Sequence, residues 1–368
     1  MTINHTTASF ASGDRTAADS PASIIVLTRE HIGDLVCTTP ALRSLRRLYP
    51  QAHIAVEVGE RAVCVLENNP NVDEIIPRPT RQGISGKWNF VRLLRKRKFD
   101  LAVILDDSTD MPLTVWLGGV RRRVGLVRKK RFARLLTDPV PYDINAHEMI
   151  DNFRNVVGAL GGDVSDPRPE VFPTAVEKRE VDQMLQDAGV RAGECLIALN
   201  PATSVPSRNW LPERFSELGN LLSDWPDVRL LLLGGPGDRA RAQIIVSGMK
   251  TPPILLTGYT SVMQQAELQS RCALLISGNT GPMHLACATG TPVIALIGLE
   301  DPRDYGPEYV PGNVVIRKVS GCPGCTWTKC IRQNACMRLI TAEEVAEAAE
   351  RLLKRRSLSL TAKEVSGE

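Results

Sequence analysis

Residues Ser277–Gly298 read SGNTGPMHLACATGTPVIALIG, and the fold is read from this stretch outward. ALLIS at Ala273–Ser277 is an apolar run of strand length, and PVIALI at Pro292–Ile297 is another. Between them Thr280 stands where a helix cap belongs, Pro282 where a first-turn proline fits, and Gly290 where a helix stops. Strand, tight loop, short helix, glycine stop and strand form a crossover unit of a parallel sheet. The loop is the informative part. Gly278 and Gly281 let the backbone approach a ligand closely, and Thr280 with the amides opening the helix points at whatever occupies the strand ends, a ready site for a diphosphate. His284, one turn inside the helix, is expected to face the same cleft; a plain βα turn with a hydrogen-bonded histidine is the alternative.

The same alternation runs through the rest of the chain. CLIAL (Cys195–Leu199) and RLLLL (Arg229–Leu233) precede that stretch, while IIVL (Ile24–Leu27), HIAVEV (His53–Val58) and LAVIL (Leu101–Leu105) form an earlier series. Between the two series, GGDVSDPRPEVFP (Gly161–Pro173) is too rich in glycine and proline for helix or strand and reads as a linker. At 368 residues the chain exceeds what one core usually supports. The expected fold class is therefore α/β, with two Rossmann-like parallel-sheet domains facing a central cleft. Residues 23–170 form the first and 171–356 the second, with a disordered leader at 1–22 and a polar tail at 357–368. The last helix is expected from a capping box, Thr341 with Glu344, to about Arg355. Ligands of such folds bind at the carboxyl ends of the strands, so the active site belongs in the cleft.

With 43% hydrophobic and 23% charged residues the composition is that of a globular protein. No run is long and apolar enough to span a bilayer, and the opening residues lack the apolar core of an export signal, so a cytoplasmic location is expected. Five of the nine cysteines, Cys37, Cys64, Cys195, Cys272 and Cys287, are scattered, which argues for reduced thiols over a disulfide scaffold.

Two further loops follow strands. GGPGDRA (Gly234–Ala240) satisfies GxGxxA from Gly235, but a nicotinamide-dinucleotide enzyme also needs an acidic residue after the next strand, and Ile254–Gly258 contains none. Asp238 is then a candidate phosphate or ribose contact, or part of a plain turn. Near the start, LTREHIGDLVCTTPAL places Gly33 and Asp34 at the opening of a helix. A carboxylate there is favoured in its ionised form by the helix terminus and can take a proton from an acceptor hydroxyl; a capping role is the alternative.

Taken in order, LTREHIGDLVCTTPALRSLRRLYPQAHI, NPATSVPSRNWLPERFSEL, LLLGGPGD and SGNTGPMHLACATGTPVIALIGLEDPRDYGP resemble the signature segments of glycosyltransferase family 9, the lipopolysaccharide heptosyltransferases. The resemblance spans about Ile24 to Leu353. It implies a GT-B architecture, donor binding by the second domain, acceptor binding by the first, and inversion without a catalytic metal. It implies ADP-heptose as donor and a lipopolysaccharide core or related anionic glycan as acceptor, and makes Asp34 the general base. Consistent with a metal-free mechanism, the chain has no Asp-any-Asp triplet. Arg208 stands where the family usually has a lysine and is the candidate for stabilising the leaving diphosphate, with Asn279, Thr280, Gly281, His284 and Asp238 on the donor and Gly33 on the acceptor side. Asn279 replaces the usual aspartate, and Glu30 and His31 replace small hydroxyl residues.

Two features remain. Gly118–Arg134 holds eight basic residues and no acidic one, and Arg121, Arg122 and Arg123 are candidates for the anionic acceptor, with peripheral contact at the inner membrane face; a solvated loop is the alternative, and nucleic acid fits less well. Cys322, Cys325, Cys330 and Cys336 have the count for a structural zinc or iron site, although the second pair lacks CxxC spacing; reduced thiols or a redox-sensitive pair are the alternatives. The competing functional class is a non-catalytic nucleotide- or glycan-binding protein with such a metal site.

Overall fold

The computed structural model describes residues 20–79, 83–106, 110–128, 130–143, 148–322, 330 and 332–366. Most of the expected leader, together with Lys129 and Cys325, lies outside the described residues.

The first domain runs β1 (Ser23–Leu27), α1 (Ile32–Leu48), β2 (His53–Gly59), β3 (Glu74–Arg78), α2 (Ile84–Arg97), β4 (Leu101–Ile104), α3 (Met111–Leu117), β5 (Arg122–Val127), α4 (Lys130–Ala133), β6 (Asp138–Pro141) and α5 (Glu148–Gly158). The second runs α6 (Ala175–Asp187), β7 (Cys195–Asn200), α7 (Pro212–Ser223), β8 (Val228–Leu232), α8 (Arg239–Ser247), β9 (Ile254–Leu255), α9 (Val262–Ser270), β10 (Leu274–Gly278), α10 (Gly281–Ala288), β11 (Val293–Ile297), α11 (Pro302–Tyr305), β12 (Val314–Arg317), α12 (Ala335–Arg338) and α13 (Ala342–Ser366). Two six-stranded sheets result, ordered β3-β2-β1-β4-β5-β6 and β12-β11-β10-β7-β8-β9. All pairings are parallel, in register such as Val26 with Val56 and Val103. The two orders are the same winding, each reversing direction between its first and fourth strands, and that reversal opens a crevice at the carboxyl ends.

Burial explains which strands the sequence announces. Ile24–Leu27 and Leu101–Ile104 are at 0% exposure, because helices cover both faces, so these strands read as continuous apolar runs. The strands that the alternation did not single out are β3, β5, β6, β9 and β12. Two of them, β3 and β6, are edges that carry Pro77 and the pair Pro139 and Pro141, which only an edge tolerates. In β5 the arginines dilute the apolar signal, and Gly125 makes room for Ile104, whose Cβ would lie 2.7 Å from a Cβ at that position.

The linker is anchored to α1. Arg43 pairs with Glu170 at 2.7 Å and donates to the Asp166 and Arg168 carbonyls at 3.2 and 3.0 Å. Thr341 Oγ1 accepts from the Glu344 N–H at 3.2 Å as the expected cap, but the helix runs to Ser366, past Arg355 and through most of the segment read as a tail. Among the described residues no helix is long and apolar enough to cross a membrane.

Candidate active site

The site forms where α1 of the first domain meets α10 of the second. Both helices begin directly after central strands, and their opening turns touch: a Cβ at Gly33 would lie 3.0 Å from His284 Cδ2 and 3.3 Å from Gly281 Cα. Glycine at 33 lets the two turns approach this closely without crowding. A cavity of about 480 Å³ opens at the contact and brings together seven residues expected from the sequence, Gly33, Asp34, Arg208, Asn279, Thr280, Gly281 and His284. Thr280, the N-cap residue of α10, makes no side-chain capping bond and lines the cavity together with Gly281, so the positive end of the helix lies at its wall.

Arg208 is delivered by a short 3-10 turn, Pro206–Arg208. Behind it Trp210 is buried, donating from Nε1 to the Ile340 carbonyl at 3.1 Å and packing edge-on to Phe215. Asn334 Nδ2 donates to the carbonyls of Pro206 and Asn209 at 3.1 and 2.9 Å, bracing the turn from the cysteine-rich segment. The Arg208 guanidinium pairs with Glu300, and the same carboxylate accepts from Asn279 Nδ2 at 3.2 Å. Sequence reasoning passed over Glu300. Its signal was present, because it follows the carboxyl end of β11 within the LEDPRDYGP segment. It places a carboxylate beside Asn279, where the residue itself has none.

His284 is 3% exposed, and burial pushes its imidazole down to about 4, so near neutral pH it is uncharged. Its Nδ1 lies 2.9 Å from the Tyr309 hydroxyl and 3.3 Å from Cys37 Sγ. Arg29 also spans the domains: its Nη1 donates to the Tyr305 hydroxyl at 2.9 Å and stands 3.9 Å from Asp34 Oδ1.

A second cavity of about 440 Å³ lies on the first-domain side and shares Arg29, His31 and Asp34 with the first. Its other walls are mostly charged, with Glu30, Arg78, Lys87, Asp106 and Asp110 beside Pro79 and Met111. Lys87 donates to Asp110 at 2.5 Å. Arg78 is buried, donates to the Thr28 carbonyl at 2.9 Å and stands 3.3 Å from Glu57 Oε2. Burial pushes the Glu57 carboxyl up to about 7, with Arg78 opposing and Asp106 and Glu30 adding to the rise. Asp34 therefore sits at the junction of two cavities, one walled mainly by the second domain and one by the first.

The remaining expected residues are placed elsewhere. Asp238 accepts from the Gly235 N–H at 2.8 Å and closes its own turn. Arg121, Arg122 and Arg123 are at the amino end of β5, the opposite edge of the sheet from the cleft. Arg122 pairs with Asp138 at 3.4 Å, and Arg123 donates to the Leu135 and Val120 carbonyls. The basic side chains at the first-domain cavity are instead Arg29, Arg78 and Lys87. The reading of the cysteines as a metal site finds no support: among the described residues no group of three or more His, Cys, Asp or Glu side chains could hold a metal ion. Cys330 Sγ accepts from the Asn334 N–H at 3.1 Å, and Cys336 is buried beneath Gly298. A cavity of about 600 Å³ between α13 and the amino ends of β11 and β12 lies at the wrong sheet edge for this chemistry.

The sequence profile of glycosyltransferase family 9 (heptosyltransferase) matches residues 87–335. The chain is 25% identical over 311 residues to lipopolysaccharide heptosyltransferase 2 of Salmonella typhimurium, covering 81% of this chain and 88% of that protein. A crystal structure of a family 9 glycosyl transferase from Veillonella parvula superposes with a TM-score of 0.78 at 25% identity, covering 91% of this chain and 97% of that one. The E. coli heptosyltransferase WaaC, solved with ADP-2-deoxy-2-fluoro heptose, shares the fold at a TM-score of 0.65 and 18% identity, over 89% and 99% of the two chains.

Proposed function

Because the chain belongs to glycosyltransferase family 9 and is a glycosyltransferase of GT-B architecture, we propose that it moves heptose from ADP-heptose to a glycan of the lipopolysaccharide core. The observation that carries the assignment of roles is the place of Asp34, shared by both cavities. A donor in the second-domain cavity and an acceptor in the first-domain cavity meet at this carboxylate, as a direct displacement requires.

Asp34 takes the proton from the acceptor hydroxyl as its oxygen attacks the anomeric carbon. The bond to the diphosphate breaks on the opposite face, so the configuration inverts. Charge developing on the diphosphate is met by the amides opening α10, by Thr280 and by the guanidinium of Arg208. These groups supply the positive potential without a divalent ion. Glu300 holds Arg208 and Asn279 in position before the donor arrives. Arg29, Arg78 and Lys87 are available to acidic groups of the acceptor, and Glu30, Asp106 and Asp110 to its hydroxyls. Catalysis takes place in the cytoplasm, where nucleotide sugars are made.

The test is the response of the purified protein to nucleotides. A ligand that binds only the folded state raises the melting temperature. ADP and ADP-heptose should do so, and ADP should be released when a heptose-acceptor glycan is added. Stabilisation by a different nucleotide sugar would keep the transferase and replace the donor; indifference to every nucleotide would sink the proposal.

A further inference from the structure

We propose that Tyr309 is a positioning residue that holds His284 in the tautomer carrying its proton on Nε2, so that the imidazole presents an N–H to the donor's diphosphate. The inference rests on the functional reading above for the ligand, but not for the tautomer.

Three observations carry it. Nδ1 of His284 is approached by two groups that bear protons, the Tyr309 phenol at 2.9 Å and the Cys37 thiol at 3.3 Å. A phenol O–H and a thiol S–H are both donors, and the lone pair of a bare imidazole nitrogen is a far better acceptor than either phenol oxygen or thiol sulfur. Two donors converging on Nδ1 select the form in which that nitrogen accepts. The ring of Tyr309 lies nearly parallel to the imidazole, at 6° between planes and 6.2 Å between centroids, which fixes the direction of approach.

The other edge of the ring faces the cavity. Cδ2 lies beside Gly33, and the residue lines the donor cavity with Asp34 and Thr280. Nε2, adjacent to Cδ2, has no hydrogen-bond partner among the described residues and is not sealed away from the cavity. His284 is otherwise 97% enclosed. An uncharged imidazole holds one proton, so its usefulness to an anion depends on which nitrogen has it. With the proton on Nε2 the ring donates into the cavity; with the proton on Nδ1 it would turn a lone pair towards the phosphate oxygens. Cys37 lies one turn beyond Asp34 on α1, so the contact also ties the base-bearing helix to α10.

The experiment is nitrogen-15 NMR of the full chain with labelled histidine, His284 being assigned by its loss in His284→Gln. Nitrogen shifts distinguish a protonated from a bare ring nitrogen. The wild type should show Nε2 protonated and Nδ1 bare, and titration with ADP should move the Nε2–H signal. Tyr309→Phe should shift the population towards the Nδ1 proton and lower kcat by on the order of tenfold, with ADP affinity changed far less. A wild type with its proton on Nδ1, or a Tyr309→Phe protein with an unaltered tautomer, would overturn the proposal. The wild-type spectrum decides even where the variant folds poorly. Because the tautomer is read without turnover, a protein that transfers no sugar would refute the transferase reading and leave this one to stand or fall separately.

Discussion

Asp34→Asn separates the chemistry of the site from its architecture. Asparagine fills the same volume, which matters because Asp34 is only 9% exposed and a smaller residue would leave a hole. The substitution removes a negative charge from the first turn of α1 and a contact of 3.9 Å with Arg29. The pair is long but largely enclosed, so removing the carboxylate costs more than breaking a surface ion pair, about 1–3 kcal/mol, and the melting temperature should fall by several degrees while the protein stays folded. Loss of the base is larger, because general-base catalysis is worth about 10²- to 10⁴-fold, and kcat should fall within that range. The second-domain cavity proposed to take the diphosphate is otherwise unchanged, so ADP should bind as well as before, or better for want of a nearby negative charge. Coupled detection of released ADP gives turnover, and titration calorimetry gives affinity. Turnover within tenfold of wild type, or loss of ADP binding, would refute the assignment of Asp34 as base.

Other outcomes follow from the same geometry. Arg208→Ala should cost about 10²- to 10³-fold in kcat, as loss of a donor to a developing anion does, and its effect on acceptor KM should be small; steady-state kinetics with each substrate varied checks both. Gly33→Ala sets a methyl group 3.0 Å from His284 and 3.3 Å from the Gly281 backbone, so the two opening turns must shift by a few tenths of an ångström, with an expected stability loss of about 1–3 kcal/mol by denaturant titration and reduced transfer. Glu57 has its pKa raised from 4.5 to about 7, so its contribution to stability is fully present below pH 4.5 and is lost as pH rises through 7. Relative to wild type, Glu57→Gln should therefore gain stability as pH rises over that window, by about 3 kcal/mol at the upper limit; denaturation at pH 4.5 and 8 measures it, and a difference that does not vary with pH would contradict the buried-carboxyl account.

The general architecture was legible in the sequence because its signals are local. The central strands are covered on both faces and must be apolar throughout, the linker must avoid helix and strand, and the loops opening α1 and α10 need glycine where backbones meet. Asp34, Thr280 and Gly281 could be singled out for that reason, since in a parallel sheet the residues after a strand lie at the ligand-binding edge, whereas Arg208 and the role of Asp34 as base came from the resemblance to family 9. Edge strands were not legible: prolines in β3 and β6 read as loop, and only the sheet shows that their missing N–H groups fall at an edge. The tertiary structure also decided which charges act together. Arg121–Arg123 looked like an anion site by density of charge, but they lie at the amino edge of the sheet, where Arg122 and Arg123 have partners of their own. Glu300, Tyr309 and Cys37 are distant in sequence from the groups they touch, and no spacing rule links them. Local sequence determines where a backbone can turn and which face it buries. Which side chains from two separately folded sheets come within hydrogen-bonding reach is set only when those sheets pack against each other.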